Sequence, residues 1–363
     1  MKITFPHLGN IYFTAKAFLE ELGHEVIPPP ICSRKTLEIG SKYSPEMMCL
    51  PFKMFIGNYI ESIERGADTI VITGSCGPCR FGLYSLVQED ILKDLGYDVD
   101  LIVIDALREG YREFGSNLRK ITKARSLLGL FKSSRLALEL IKRADNLTDI
   151  SNYIRAHAID KTQVNMIMDN FYKASLEIHG ARQLMDLIDK TEKELHKVEL
   201  IKNYDPIRIG IIGEIYTIIE PFVNLEIEKK LGQLGVLVDK SLTPTKWLEH
   251  HVMSYPLGSK SERTKYKLAK PYLSTMVGGH GRETIGSAIY YKNMGYDGAI
   301  QILPLNCMPE IVAKSILKNV SSDYDFPIMT LVVDEMTGEA GYITRLEAFV
   351  DLVSKRREKQ TIG

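Results

Sequence analysis

Short apolar runs that stop at a turn and hand over to an amphipathic stretch recur at both ends of the chain, and this alternation constrains the fold more than any single motif. In the first hundred residues Lys2 to Phe5, Glu25 to Pro28, Thr69 to Thr73 and Asp100 to Ile104 read as strands. Between them Ile11 to Leu22, Phe52 to Arg65 and Leu83 to Leu95 read as helices. Gly23, Gly66 and Gly96 stand just past those helices, where a left-handed C-cap is expected. Strands alternating with helices make βαβ units, whose crossovers are right-handed and whose ligands bind beyond the carboxyl ends of the strands.

From Arg108 to Lys202 the period becomes helical, as in Ser134 to Arg143 and Gln163 to Ile178, where apolar residues fall three and four apart. Met166, Met168, Phe171 and Tyr172 read as helix core there. After Asp205-Pro206 the alternation resumes, with strands at Arg208 to Ile212, Gly235 to Val238, Gly298 to Ile302 and Ile328 to Val333. Helices are expected at Val223 to Leu234, Glu283 to Met294, Glu310 to Lys318 and Ile343 to Arg356. The fold class is α/β: two Rossmann-like parallel-sheet domains, 1–107 and 205–363, with a helical connecting subdomain at 108–204. A chain of 363 residues with 45% hydrophobic content has enough material for two cores.

Composition narrows the partners. The 46 basic residues balance the 46 acidic ones, so no nucleic-acid or anionic-membrane partner is called for. The opening MKITFPHLGNIYF lacks a charged leader followed by a long apolar core, and no stretch reaches the roughly 18–20 apolar residues of a membrane helix. A cytoplasmic protein is expected, and there an odd set of five cysteines reads as ligands or reactive thiols rather than disulfides.

Four of the five, Cys49, Cys76, Cys79 and Cys307, lie beside Pro or Gly where a strand or loop hands over to a helix. At such helix starts the dipole and the amide groups favour thiolate over thiol. TIVITGSC and AIQILPLNC share the run strand, turn, cysteine, helix. Cys76-Gly77-Pro78-Cys79 is also the dithiol tetrapeptide of thioredoxin, in which one thiol attacks a disulfide and the other resolves it. Ser75 stands where that family has Trp, and the only Trp is Trp247. A C-x-x-C pair can equally share one metal. Cys49 lies 27 residues before Cys76 and Cys307 lies 228 after Cys79, a dispersal that suits an iron–sulfur cluster assembled by the fold better than a zinc knuckle. Cys32 is either an inert buried thiol or a fifth ligand.

Other residues near the thiols suit an anionic ligand. Arg34, Lys35, Lys53 and Arg80 could steady thiolates, though ordinary surface charge explains each as well. Gly278, Gly279, Gly281 and Arg282 could cradle a phosphate or a cluster edge at a helix start, with His280 among them. G-x-x-x-x-G-K-[ST] is absent, so ATP hydrolysis by the chain itself is not expected. Asp334 and Glu335 form a cleft wall or simply cap a helix.

In combination, KTLEIGSKYSPEMMCLPFK, GSCGPCRFGLY, GGHGRETIG, QILPLNCMPEIVAKSI and DEMTGEAGYITRLEAFVD resemble the 2-hydroxyacyl-CoA dehydratase D-component superfamily. The branch is that of CoA-protein-activase-related proteins, related to benzoyl-CoA reductase subunits and double-cubane cluster proteins. The resemblance spans nearly the whole chain and implies Rossmann-like domains with an iron–sulfur cluster between them. The implied ligands are Cys49, Cys76 or Cys79 or both, and Cys307, holding a [4Fe–4S] cluster or, with Cys32, a double-cubane [8Fe–9S] cluster. Dehydratase subunits show three such cysteines, so the C-x-x-C pair is a departure. The resemblance also implies a separate ATP-dependent activase with its own [4Fe–4S] cluster, and a second homologous subunit or a homodimer. Two roles follow: a component of a low-potential reductase or dehydratase, acting as lyase or oxidoreductase, or a subunit that relays electrons without catalysis.

Overall fold

The computed structural model describes residues 1–74, 79–104, 110–122, 127–249 and 260–362. It divides into two compact units, Met1–Lys142 with Ile178–Met185, and Arg143–Glu177 with Asp186–Gly363. Each contains a four-stranded parallel sheet, so the chain is α/β as the alternation predicts.

In the first unit the order along the chain is β1 (Lys2–Thr4), α1 (Ile11–Glu21), β2 (Glu25–Val26), α2 (Arg34–Tyr43), α3 (Leu50–Glu64), β3 (Thr69–Thr73), α4 (Tyr84–Asp94), β4 (Asp100–Ile104) and α5 (Gly110–Thr122). The spatial order is β2-β1-β3-β4. Ile3 pairs with Val26 on one side and Thr69 on the other, and β3 pairs with β4 from Thr69↔Asp100 to Thr73↔Ile104. The turns work as expected: Gly23, Gly66 and Gly96 take φ of 83°, 100° and 81°. These values are open to glycine without strain.

Helix α3 is the centre of this unit, because every residue from Leu50 to Ser62 is buried. Two glycines let α2 lie directly on it. A Cβ at Gly40 would stand 1.8 Å from the Lys53 carbonyl oxygen, and one at Gly57 would stand 2.0 Å from that of Thr36. At the start of α2, Ser33 and Thr36 cap each other reciprocally, and the Thr36 hydroxyl also donates to Glu61 at 2.7 Å.

Three long helices follow: α6 (Leu127–His157), α7 (Lys161–Glu177) and α8 (Ala181–Leu195). The stretch read as helical from its period is therefore helical, and α6 and α8 each contribute residues to both units. Met168 and Phe171 are buried as helix core, whereas Met166 is exposed.

The second unit carries β5 (Arg208–Gly213), α9 (Ile215–Ile219), α10 (Ile227–Gln233), β6 (Leu237–Lys240), α11 (Pro244–Leu248), α12 (Lys260–Ala269), α13 (Gly281–Asn293), β7 (Gly298–Pro304), α14 (Met308–Asp323), β8 (Ile328–Val333) and α15 (Glu339–Ile362). Its order, β6-β5-β7-β8, repeats that of the first sheet. All seven residues of β7 are buried, as a central parallel strand covered on both faces requires. Ile212, Ile285, Ala288, Ile289, Leu317 and Phe326 pack beside it as the core. In both sheets the first strand has its successors on opposite sides. The carboxyl ends of β1 and β3, and of β5 and β7, are therefore the switch points at which such sheets receive ligands. Among the described residues no helix is long and apolar enough to cross a membrane.

Candidate functional site

A helix that returns antiparallel to a parallel sheet has its N-terminus at the carboxyl edge of the strands. The described thiols of the first unit stand there. Cys49 is the N-cap of α3, which leads into β3, and Cys79 is the N-cap of the short 3-10 turn Arg80–Leu83 that follows β3. Neither side chain makes a capping hydrogen bond, and both are partly buried. Cys76 lies outside the described residues.

Two contacts hold the segments that carry Cys49 and Cys79 against each other. The Arg80 guanidinium donates to the Met47 carbonyl at 2.7 Å, and Tyr84 Oη lies 2.6 Å from Cys49 Sγ. Lys53 is buried and donates to the Glu46 carbonyl at 3.0 Å, tethering the same loop. Arg80 and Lys53 thus brace the backbone around the thiols. Arg34 and Lys35 are engaged on α2 and its neighbour, pairing with Glu38 at 3.1 Å and Glu61 at 3.6 Å.

Cys32 is buried, and Asn58 of α3 holds it from the side with its amide nitrogen 3.8 Å from the sulfur. The Asn58 carbonyl oxygen accepts from the His7 backbone N–H at 3.2 Å, and a ring nitrogen of His7 lies within 4.8 Å of Cys32 Sγ. The histidine spacing in the sequence gives no ligand pattern; the fold nevertheless sets His7, just past β1, beside a thiol.

One helical turn beyond Tyr84, Gln88 is fully buried, and among the described residues neither of its amide atoms has a hydrogen-bond partner. Tyr84, Gln88 and Leu92 form the buried face of α4, so a polar amide sits in an otherwise apolar stripe. Leaving such a group unpaired costs about 1–3 kcal/mol. Gln88→Met, which keeps the length and removes the amide, is expected to raise the unfolding free energy of the metal-free chain by about that amount in a urea titration.

In the second unit Cys307 is buried and is the N-cap of α14, again without a side-chain capping bond. His280 is the N-cap of α13, the helix that feeds β7. It holds the position that Cys49 holds before β3. The starts of α13 and α14 touch: a Cβ at Gly281 would meet the Pro309 carbonyl oxygen at 2.4 Å, and the Thr284 hydroxyl donates to Glu310 at 2.9 Å. Gly278 and Gly279 reach φ of 82° and 48°, which forms the turn into α13. Arg282 is drawn to Tyr266, its guanidinium 5.2 Å from the ring centroid. Asp334 closes its own turn, accepting from Met336 N at 2.9 Å and the Thr337 hydroxyl at 2.8 Å.

Beneath these N-termini lies a group of buried acids that the sequence alone does not single out. Burial pushes the Glu310 carboxyl up to about 7, against hydrogen bonds from Gln301 and Thr284 that favour ionisation. Burial likewise pushes Glu283 up to about 7, aided by its hydrogen bond with Glu262, while His280 at 4.0 Å opposes the shift. Glu214 caps α9 through Tyr216 N and Thr217 N, both at 2.9 Å, and burial raises its carboxyl too. The result is a set of carboxyls whose charged forms burial disfavours, on the helix starts that include the one capped by Cys307. Glu310 reads in sequence as an ordinary first-turn acid, and only its depth sets it apart.

Among known proteins, no family model matches the chain and no curated protein matches it.

Proposed function

We propose that the chain is an iron–sulfur protein of the 2-hydroxyacyl-CoA dehydratase or reductase type. Cys49, Cys76, Cys79 and Cys307 would hold a [4Fe–4S] cluster, with Cys32 available for the double-cubane alternative. One observation carries this reading: Cys49, Cys79 and Cys307 are all helix N-caps at the carboxyl edge of a parallel sheet, and none spends its side chain on capping. The donor set fits the group, since thiolates beside first-turn amides and helix dipoles are stabilised as soft-metal ligands. When bound, such a cluster supplies single electrons at low potential. The residues of the chain would hold the thiolates in place, with Tyr84, packed by Phe52 and Phe55, lying against Cys49. Electrons would come from a separate ATP-dependent activase with its own cluster, and the chain would work with a homologous subunit or a second copy of itself.

Iron analysis of anaerobically purified chain tests this. Brown protein with about four irons per chain is expected on the four-thiolate count. Cys49→Ala and Cys307→Ala are expected to lose the cluster. If Cys79→Ala keeps it, a three-thiolate centre with an open iron is favoured; loss in Cys76→Ala and Cys79→Ala as well favours full ligation and electron relay. Colourless protein with stoichiometric zinc after anaerobic iron reconstitution would sink the proposal.

A further inference from the structure

Tyr84 is 2% exposed, and three rings meet it edge-on: Phe52 and Phe81 with centroids at 5.0 Å and Phe55 at 6.0 Å. Edge-to-face packing of this kind fixes a ring in a buried cluster more firmly than one polar contact does. The hydroxyl direction is therefore set by aromatic packing, and it brings Tyr84 Oη to 2.6 Å from Cys49 Sγ. A thiol and a phenol could each donate. A metal-bound thiolate has no proton, so there the phenol must be the donor. A hydrogen bond to a ligating sulfur draws charge from it and stabilises the more negative, reduced state of the centre.

We propose that Tyr84 is a positioning residue whose hydroxyl donates a hydrogen bond to the Cys49 sulfur and so raises the reduction potential of the centre that Cys49 ligates. The inference rests on the iron–sulfur reading. Tyr84→Phe keeps the ring in its cluster and removes only the hydroxyl, so the fold is retained.

The test compares the full-length wild type and Tyr84→Phe after anaerobic iron loading, in a redox titration followed by electron paramagnetic resonance. At the potential where the wild type is half reduced, the variant is expected to show a roughly tenfold lower ratio of reduced to oxidised centre. For one electron that is a midpoint about 59 mV more negative. If the wild type binds no iron, the iron–sulfur reading fails and this inference falls with it; equal midpoints in iron-loaded chains overturn the inference alone.

Discussion

Raising the pH from 5 to 8 is expected to weaken the second unit by several kcal/mol, and the double variant Glu283→Gln, Glu310→Gln to abolish most of that loss. Both carboxyls ionise near 7 in the folded chain, against an ordinary value of 4.5, because burial penalises the charged form. The sign follows from proton counting. Between about pH 4.5 and 7 the folded state binds more protons than the unfolded one, so unfolding becomes easier as pH rises. The stability is complete below the ordinary value and is lost as pH rises through 7. A carboxyl displaced this far forfeits on the order of 3 kcal/mol by pH 8. Glu214 and Glu262 are pushed in the same direction, so they add to the trend. Glutamine keeps one acceptor and gains donors, like the neutral acid, so contacts to Thr284 and Gln301 can persist. Trp247 in α11 is the only tryptophan, so its fluorescence reports on this unit in urea titrations at several pH values. Stability that climbs from pH 5 to 8 would contradict the argument.

The elements that local chemistry dictates were legible in the sequence. Strands Thr69–Thr73, Asp100–Ile104 and Ile328–Val333 match residue for residue, because each is an apolar run bounded by turn formers. The C-cap glycines and the placement of Cys49, Cys79 and Cys307 at helix starts were legible for the same reason. Helix α2 was not. RKTLEIGSKY is charged and contains a glycine, so its pattern assigns it no element, and Arg34 and Lys35 read as cations near the thiols or as ordinary surface charge. It is a helix because Gly40 permits contact with α3, a tertiary reason that propensity does not encode. Tyr84, Asn58 and Glu310 were missed for a related reason. Their roles come from depth and from partners 35, 26 and 26 residues away. The matching strand order of the two sheets is likewise invisible, since pairing across a sheet leaves no periodicity in either strand.

The Gly57→Ala exchange should destabilise the first unit by about 3 kcal/mol, although the same exchange in an open helix stabilises. Alanine gains roughly 1 kcal/mol over glycine in a helix interior, so an unobstructed site would benefit. At Gly57 the new Cβ would fall 2.0 Å from the Thr36 carbonyl oxygen, which is backbone of a packed helix and cannot swing aside. Overpacking typically costs 1–3 kcal/mol, and a clash with backbone belongs at the upper end, so the steric term exceeds the propensity gain. Gly40→Ala faces the same obstacle at 1.8 Å from Lys53. Gly115 in α5 is the matched control, since nothing among the described residues lies within 4 Å of its Cβ position. Gly115→Ala should stabilise by about 0.5–1 kcal/mol in the same assay, denaturation followed by far-ultraviolet circular dichroism. A neutral or stabilising Gly57→Ala would mean that α2 does not seat on α3 as described. The second unit repeats the device, because a Cβ at Gly286 of α13 would meet the Lys265 carbonyl oxygen of α12 at 2.0 Å. In each unit a glycine contact thus fixes the helix whose N-cap, Cys49 or His280, stands at the switch point. Loosening that contact should therefore expose Cys49 as well, and faster iodoacetamide modification of Cys49 in Gly57→Ala than in Gly115→Ala is the expected sign.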